Sequence, residues 1–175
     1  MNKGIILILA VTAVLHAGTI NVGFDAAGIT PVGGWGENLS SGLSGGLYAQ
    51  WLLSQKLRAG LGIQGALFND AYNGNASFTQ LKPMATVSFY LRPHGRTFNP
   101  GIVAGFGYCR SRLSSGGGID PASWDPFWSA GVRWDFSLGS QWRAGMGFDL
   151  ESVMASDKTG DAFKFVFGVS REVQL

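Results

Sequence analysis

The residues best placed to do chemistry in this sequence are acids and bases that recur at matched spacing. Asp25, Arg58, Lys82, Asp125, Arg133, Asp135, Arg143, Asp149, Glu151 and Lys164 comprise five of each sign. Each falls on the polar beat of a segment in which apolar and non-apolar residues alternate. Alternation with period two marks a strand with two unlike faces. Balanced opposite charges on one face suit a closed interior in which each must find a partner. Asp135 and Arg143 can lie nearly opposite each other across a tight turn at Gly139, and Asp149 or Glu151 can meet Lys164 across the next hairpin. The chemistry expected is therefore ion pairing, a salt-bridge network that fills a lumen. Such pairs are favourable only when well matched, because desolvation opposes them.

Other chemistry has little to stand on. His16 and His94 are the histidines. His16 falls in an N-terminal leader, and His94 falls in a turn, where a histidine reads as a solvated surface residue. Asp149 and Glu151 could hold water or a metal, but carboxylates between bases read first as ion-pair partners. No metal-ligand cluster, phosphate loop or nucleophile elbow is visible, and Gly105-Phe106-Gly107 is no nucleotide signature because no helix follows. The expectation is no catalytic residue, no cofactor and no metal. Cys109 is the single cysteine, so it forms no internal disulfide, and it lies too far from the N-terminus to be a lipid-anchoring cysteine. A net charge of +2 without a Lys/Arg cluster excludes the electrostatic footprint of a nucleic-acid binder.

The elements that must position these residues are strands. Residues 1–17 read as a signal peptide: Lys3 supplies the positive start, Ile5 to Leu15 is apolar, and Ala17 is a small residue at the cut. The remainder, 18–175, reads as one barrel domain. Eight alternating segments are predicted, at about 19–28, 42–53, 57–68, 78–91, 99–112, 124–138, 141–152 and 161–171. Leu53–Lys56, Arg92–Thr97 and Leu138–Ser140 are short connections. Ile29–Asn38, Asn69–Ser77, Ser114–Ser123 and Met154–Gly160 are longer and rich in Gly, Ser, Asn and Asp. Short turns at one end and long loops at the other are the membrane-barrel pattern. An even strand number returns both termini to the short-turn side. Pro83 lies deep in the fourth segment and predicts that pairing begins near it or passes through a bulge.

Three features turn the apolar face outward. At the positions assigned to the hydrocarbon level it carries no Asp, Glu, Lys or Arg, whereas one Arg or Lys facing lipid at the midplane costs about 2–4 kcal/mol. The opposite face holds glycines such as Gly23, Gly46, Gly60, Gly62, Gly101, Gly105, Gly131, Gly147 and Gly168, which suit an eight-stranded interior just wide enough for side chains. The aromatics fall in two groups, as membrane-interface girdles should. Trp51, Phe89, Phe98, Trp134 and Trp142 lie toward the short turns, and Tyr108, Trp124, Trp128 and Phe163 toward the long loops. Arg110 and Arg112 keep the outward parity of the fifth segment and are expected above the membrane, near anionic headgroups. Trp35 and Tyr72 are expected at loop tips, where they either meet a partner surface or pack on their own loops.

A leader, eight alternating strands, tight turns and longer loops together resemble the small outer-membrane barrels, the group of the OmpA transmembrane domain and OmpX-like proteins. The likeness is one of pattern over the whole mature chain. It implies an all-β, eight-stranded antiparallel up-and-down transmembrane β-barrel in the bacterial outer membrane. It also implies delivery by the barrel-assembly machinery and contact with outer-membrane lipid and lipopolysaccharide. Glu172-Val173-Gln174-Leu175 departs from the aromatic terminus usual in that group, although Phe163, Phe165, Phe167 and Val169 keep the rest of the final-strand pattern. Two kinds of barrel in this group act on lipid A through a histidine near the outer leaflet, a position His94 does not occupy. The function expected is structural or surface-interacting (adhesin-like) without catalysis. A narrow ion or solute channel is the main alternative, ahead of a lipid A-modifying enzyme or a soluble lipocalin-like ligand-binding barrel.

Overall fold

A computed structural model describes residues 18–69, 77–115, 118–119, 122–155 and 159–174. The leader with its His16, and the loop carrying Tyr72, lie outside the described residues. Eight long strands run in chain order: β1 (Thr19–Val32), β2 (Gly42–Leu52), β3 (Leu57–Asn69), β4 (Ser77–Tyr90), β5 (Phe98–Ser115), β6 (Ser123–Ser137), β7 (Trp142–Met154) and β8 (Thr159–Gln174). Each pairs antiparallel with the next, and β8 returns to β1 from Thr19↔Gln174 to Val32↔Asp161, which closes the barrel. A two-residue strand, Gly118–Ile119, adds to the upper end of β5. Closure leaves no free edge, so the backbone polar groups of the wall are met within the sheet.

The chain buries its polar residues and exposes its greasy ones. Leu43, Leu47, Leu61, Ile102 and Phe106 are 59% or more exposed, while Lys82 and Glu151 are at most 1% exposed. A soluble barrel would show the reverse. The outward row therefore requires hydrocarbon, and the strands, 11–18 residues long, exceed the 9–11 or so that a membrane demands.

Two sequence expectations about strand limits are corrected. β1 does not end at residue 28 but continues through Val32, because β8 keeps pairing with it as far as Asp161. Pro83 neither starts β4 nor makes a bulge. It pairs with Ile63 of β3, and on the β5 side the ladder stops at Leu81↔Arg110 and resumes in the same register at Met84↔Gly107. The missing N–H leaves a local gap without shifting the strand. Pro31 and Pro126 avoid the problem by lying one or two residues beyond a neighbouring ladder, which ends at Ile29↔Gly42 on β2 and begins at Phe127↔Val153 on β7.

Candidate functional site in the barrel lumen

Period two delivers the inward side chains, and strand tilt decides which of them meet. At the lower, short-turn end, Asp135 of β6 accepts a bond from Arg58 Nη1 of β3 at 2.8 Å. Arg143 stands farther off, its Nε 3.8 Å from the same carboxylate oxygen. The hairpin register explains this: Arg143 lies opposite Ser137, and Asp135 opposite Gly145. The expected Asp135–Arg143 pair is thus secondary to one across the lumen. Arg58 also lies over the Tyr90 ring, 4.1 Å from its centroid.

In the middle, Arg133 Nη2 donates to Asp149 at 2.7 Å. Above it, Glu151 takes both remaining lysines, Lys82 on one oxygen and Lys164 on the other at 2.8 Å. Lys164 donates in addition to Gln64 at 2.9 Å. Asp149, although opposite Lys164 in the ladder, is not its partner. Asp25 joins no ion pair among the described residues; Gln64 Nε2 reaches it at 3.5 Å. Asp125 stays at the mouth and accepts from Ser123 at 2.7 Å. Between these layers lies a cavity of about 90 Å³ bordered by Asp25, Tyr48, Arg58, Gln64 and Arg133, room for a few waters.

Interior glycines make the space for these large side chains. A Cβ at Gly23 would stand 2.8 Å from Tyr48 Cζ, and one at Gly147 would stand 2.8 Å from Arg133 Cδ. Tyr48 is the register partner of Gly23, and Arg133 that of Gly147.

Both ends of the lumen are capped, which the sequence reading missed. At the lower end the β4–β5 turn folds inward. His94 donates its backbone N–H to Gln55 O. Its Nδ1 accepts from Arg58 at 3.3 Å and its Nε2 donates to Glu172 at 3.0 Å. His94 is therefore a partly buried turn residue and not a solvated one. Asn99, fully buried, fastens this turn by bonding Arg92 N–H at 3.1 Å and Arg92 O at 3.0 Å. Its inward parity on β5 was the available signal.

At the upper end the lumen turns apolar. Ile29, Phe68, Phe127, Val153 and Ala162 point inward and are buried. A 3-10 turn, Gly33–Trp35, follows β1 with Gly33 at φ +59°, a conformation suited to glycine. It brings Trp35 onto Phe78 and Phe68 at 5.7 and 6.4 Å between ring centroids. The indole covers Gly160, where any Cβ would overlap it. Trp35 is thus a plug residue rather than a loop tip. The signal was the apolar residues on the inward beat near the long loops.

On the outer wall, Phe89, Phe98, Tyr108, Trp124, Trp128, Trp142 and Phe163 are exposed, and Trp51 and Trp134 half-buried. The belt between them is not purely aliphatic. Phe148, Phe165 and Phe167 stack in sequence at 4.6 and 4.5 Å between centroids. Arg110 and Arg112 are exposed, and Arg110 lies over Trp124 at 5.9 Å.

No protein-family model matches the sequence, and no curated protein does so significantly. Solved structures do. Neisserial surface protein A is similar over 90% of this chain and 99% of its own, with a TM-score of 0.65 and 15% identity. The N-terminal β-barrel domain of Pseudomonas aeruginosa OprF follows at 0.57 and 12% identity, over 87% and 97%. Ail, the attachment invasion locus protein of Yersinia pestis, solved in complex with the heparin analogue sucrose octasulfate, is similar at 0.55 and 11%, over 89% and 97%. At such identities the shared property is the fold, that of the small outer-membrane barrels. That fold, with the exposed apolar belt, places the chain in the bacterial outer membrane.

Proposed function

We propose that this chain is an occluded outer-membrane barrel with a structural and surface-contact role, and no catalysis. The carrying observation is the stopped lumen: the His94 turn below, the Arg58–Asp135, Arg133–Asp149 and Lys82–Glu151–Lys164 pairs across the middle, and the Trp35 turn above. An interior filled in this way leaves the outer belt and the long loops as the working surfaces. The solved complex of Ail with a heparin analogue supports surface contact as a use of this fold. His94 supports the non-catalytic reading, since both ring nitrogens are engaged by Arg58 and Glu172 at the end away from the outer leaflet.

A second reading, a narrow ion path, draws on the polar cavity of about 90 Å³ in mid-lumen. Planar-bilayer recording of the refolded chain separates the two. Silence under voltage fits the occluded barrel, and discrete ohmic steps overturn it. Unchanged lipid A mass spectra on overexpression fit the absence of catalysis; a new lipid A species refutes it.

A further inference from the structure

The wall ends in two differently charged rims. At the short-turn end Lys56, Arg92, Arg96 and Arg171 are all exposed. None has a carboxylate within 4.0 Å among the described residues. The two described acids at that end are engaged internally, Asp135 by Arg58 and Glu172 by His94. The long-loop end mixes signs, with exposed Glu37, Arg110 and Arg112 and half-buried Asp125 and Asp161. Two of the lower cations sit on the outer wall rather than beneath it: Arg92 lies over Phe98 at 5.7 Å and Arg171 over Trp142 at 5.9 Å. Beside Arg171, Ser140, Gln141, Glu172, Val173 and Gln174 form an open groove of about 560 Å³, and Gln141 Oε1 orients the guanidinium at 3.1 Å.

We infer that this basic rim is a binding surface for anionic phospholipid headgroups of the periplasmic leaflet, with Arg171 and Arg92 as its main phosphate contacts. Aromatic rings at a membrane interface sit at headgroup level, so a guanidinium laid over one is held where phosphodiesters are. An arginine offers two N–H donors to one phosphate. The one partly exposed carboxylate at this rim among the described residues, Glu172, is engaged by His94 Nε2 at 3.0 Å. The inference needs the membrane placement, and it is independent of whether the lumen conducts.

The test uses the refolded full chain in bilayers of phosphatidylcholine containing brominated phosphatidylglycerol or brominated phosphatidylcholine, with tryptophan quenching as the readout. The anionic lipid should be preferred roughly fivefold at low ionic strength, and the preference should shrink as salt screens it. Arg92→Gln/Arg171→Gln should abolish it, while Arg110→Gln/Arg112→Gln should retain most of it. Heat-modifiability on gels verifies that each variant is folded. Equal quenching by the two lipids in the unmodified chain overturns the inference. So does a preference that follows Arg110 and Arg112 instead, or arginine-dependent retention on peptidoglycan without lipid preference.

Discussion

Arg58 and Asp135 lie 77 positions apart in sequence and meet at 2.8 Å across the lumen, on strands that are not neighbours in the wall. The contact ties β3 to β6 through the interior, and His94 then leans on the same guanidinium from below. One carboxylate therefore balances Arg58 and contributes to Arg143 while indirectly holding the turn that closes the lower mouth.

Removing that carboxylate isolates a buried guanidinium. Breaking a buried pair by deleting one partner costs about 3–5 kcal/mol. Asp135→Ala should lower the urea midpoint of the refolded barrel by a corresponding amount and loosen the His94 turn to protease. An unchanged midpoint would mean that lumenal water serves Arg58 equally well.

The strand faces were readable from residue order alone, because period two is local. Phe163, Phe165 and Phe167 had to share one side, and Lys164 the other. Which charges pair was readable only in part. Arg58 reaches Asp135 only because closure and tilt bring β3 and β6 face to face, a property of the whole wall. Of the hairpin neighbours that sequence can propose, Glu151 with Lys164 forms at 2.8 Å, whereas Asp135 bonds Arg58 across the lumen more closely than Arg143 and Asp149 pairs with Arg133 of the adjacent strand instead of Lys164. Likewise the path of the Trp35 turn depends on Phe68 and Phe78, which arrive from two other strands.

Trp35 fills the upper mouth against Gly160, so the two positions should be coupled. Trp35→Ala removes a large, partly buried aromatic and should destabilise by about 2–3 kcal/mol, somewhat less than a fully buried ring. Gly160→Val should expel the indole and reach a similar end by a different route. Limited proteolysis within residues 33–41 should accelerate in both variants, and combining them should add little. Full additivity would show that the indole and Gly160 do not share one site.

Orientation of the wall has its own test. Leu61 is 59% exposed between Ala49 and Ala85, on the outward row of β3. Leu61→Arg should cost about 2–4 kcal/mol in a bilayer, while Leu61→Phe should be near silent. Equilibrium unfolding in phospholipid vesicles measures both. A tolerated arginine would place this row in water.

Glu151 holds Lys82 and Lys164 at once in a site almost closed to solvent. Glu151→Gln keeps the shape and removes the charge, so two buried ammonium groups confront each other without a counter-ion. Its loss should exceed that of Asp135→Ala, where two cations also lose a partner but both are guanidinium groups, which are less strongly hydrated than ammonium. Replacing one lysine as well should recover much of the stability. The single ammonium left, that of Lys164, then keeps Gln64 as an acceptor and gains the carbonyl oxygen of the substituted amide, with no second cation beside it. Glu151→Gln/Lys82→Met should therefore unfold at higher urea than Glu151→Gln alone, although it carries one more substitution. Strict additivity of the two losses would instead mean that Lys82 does not sense the charge of Glu151, and the triad would not act as a unit.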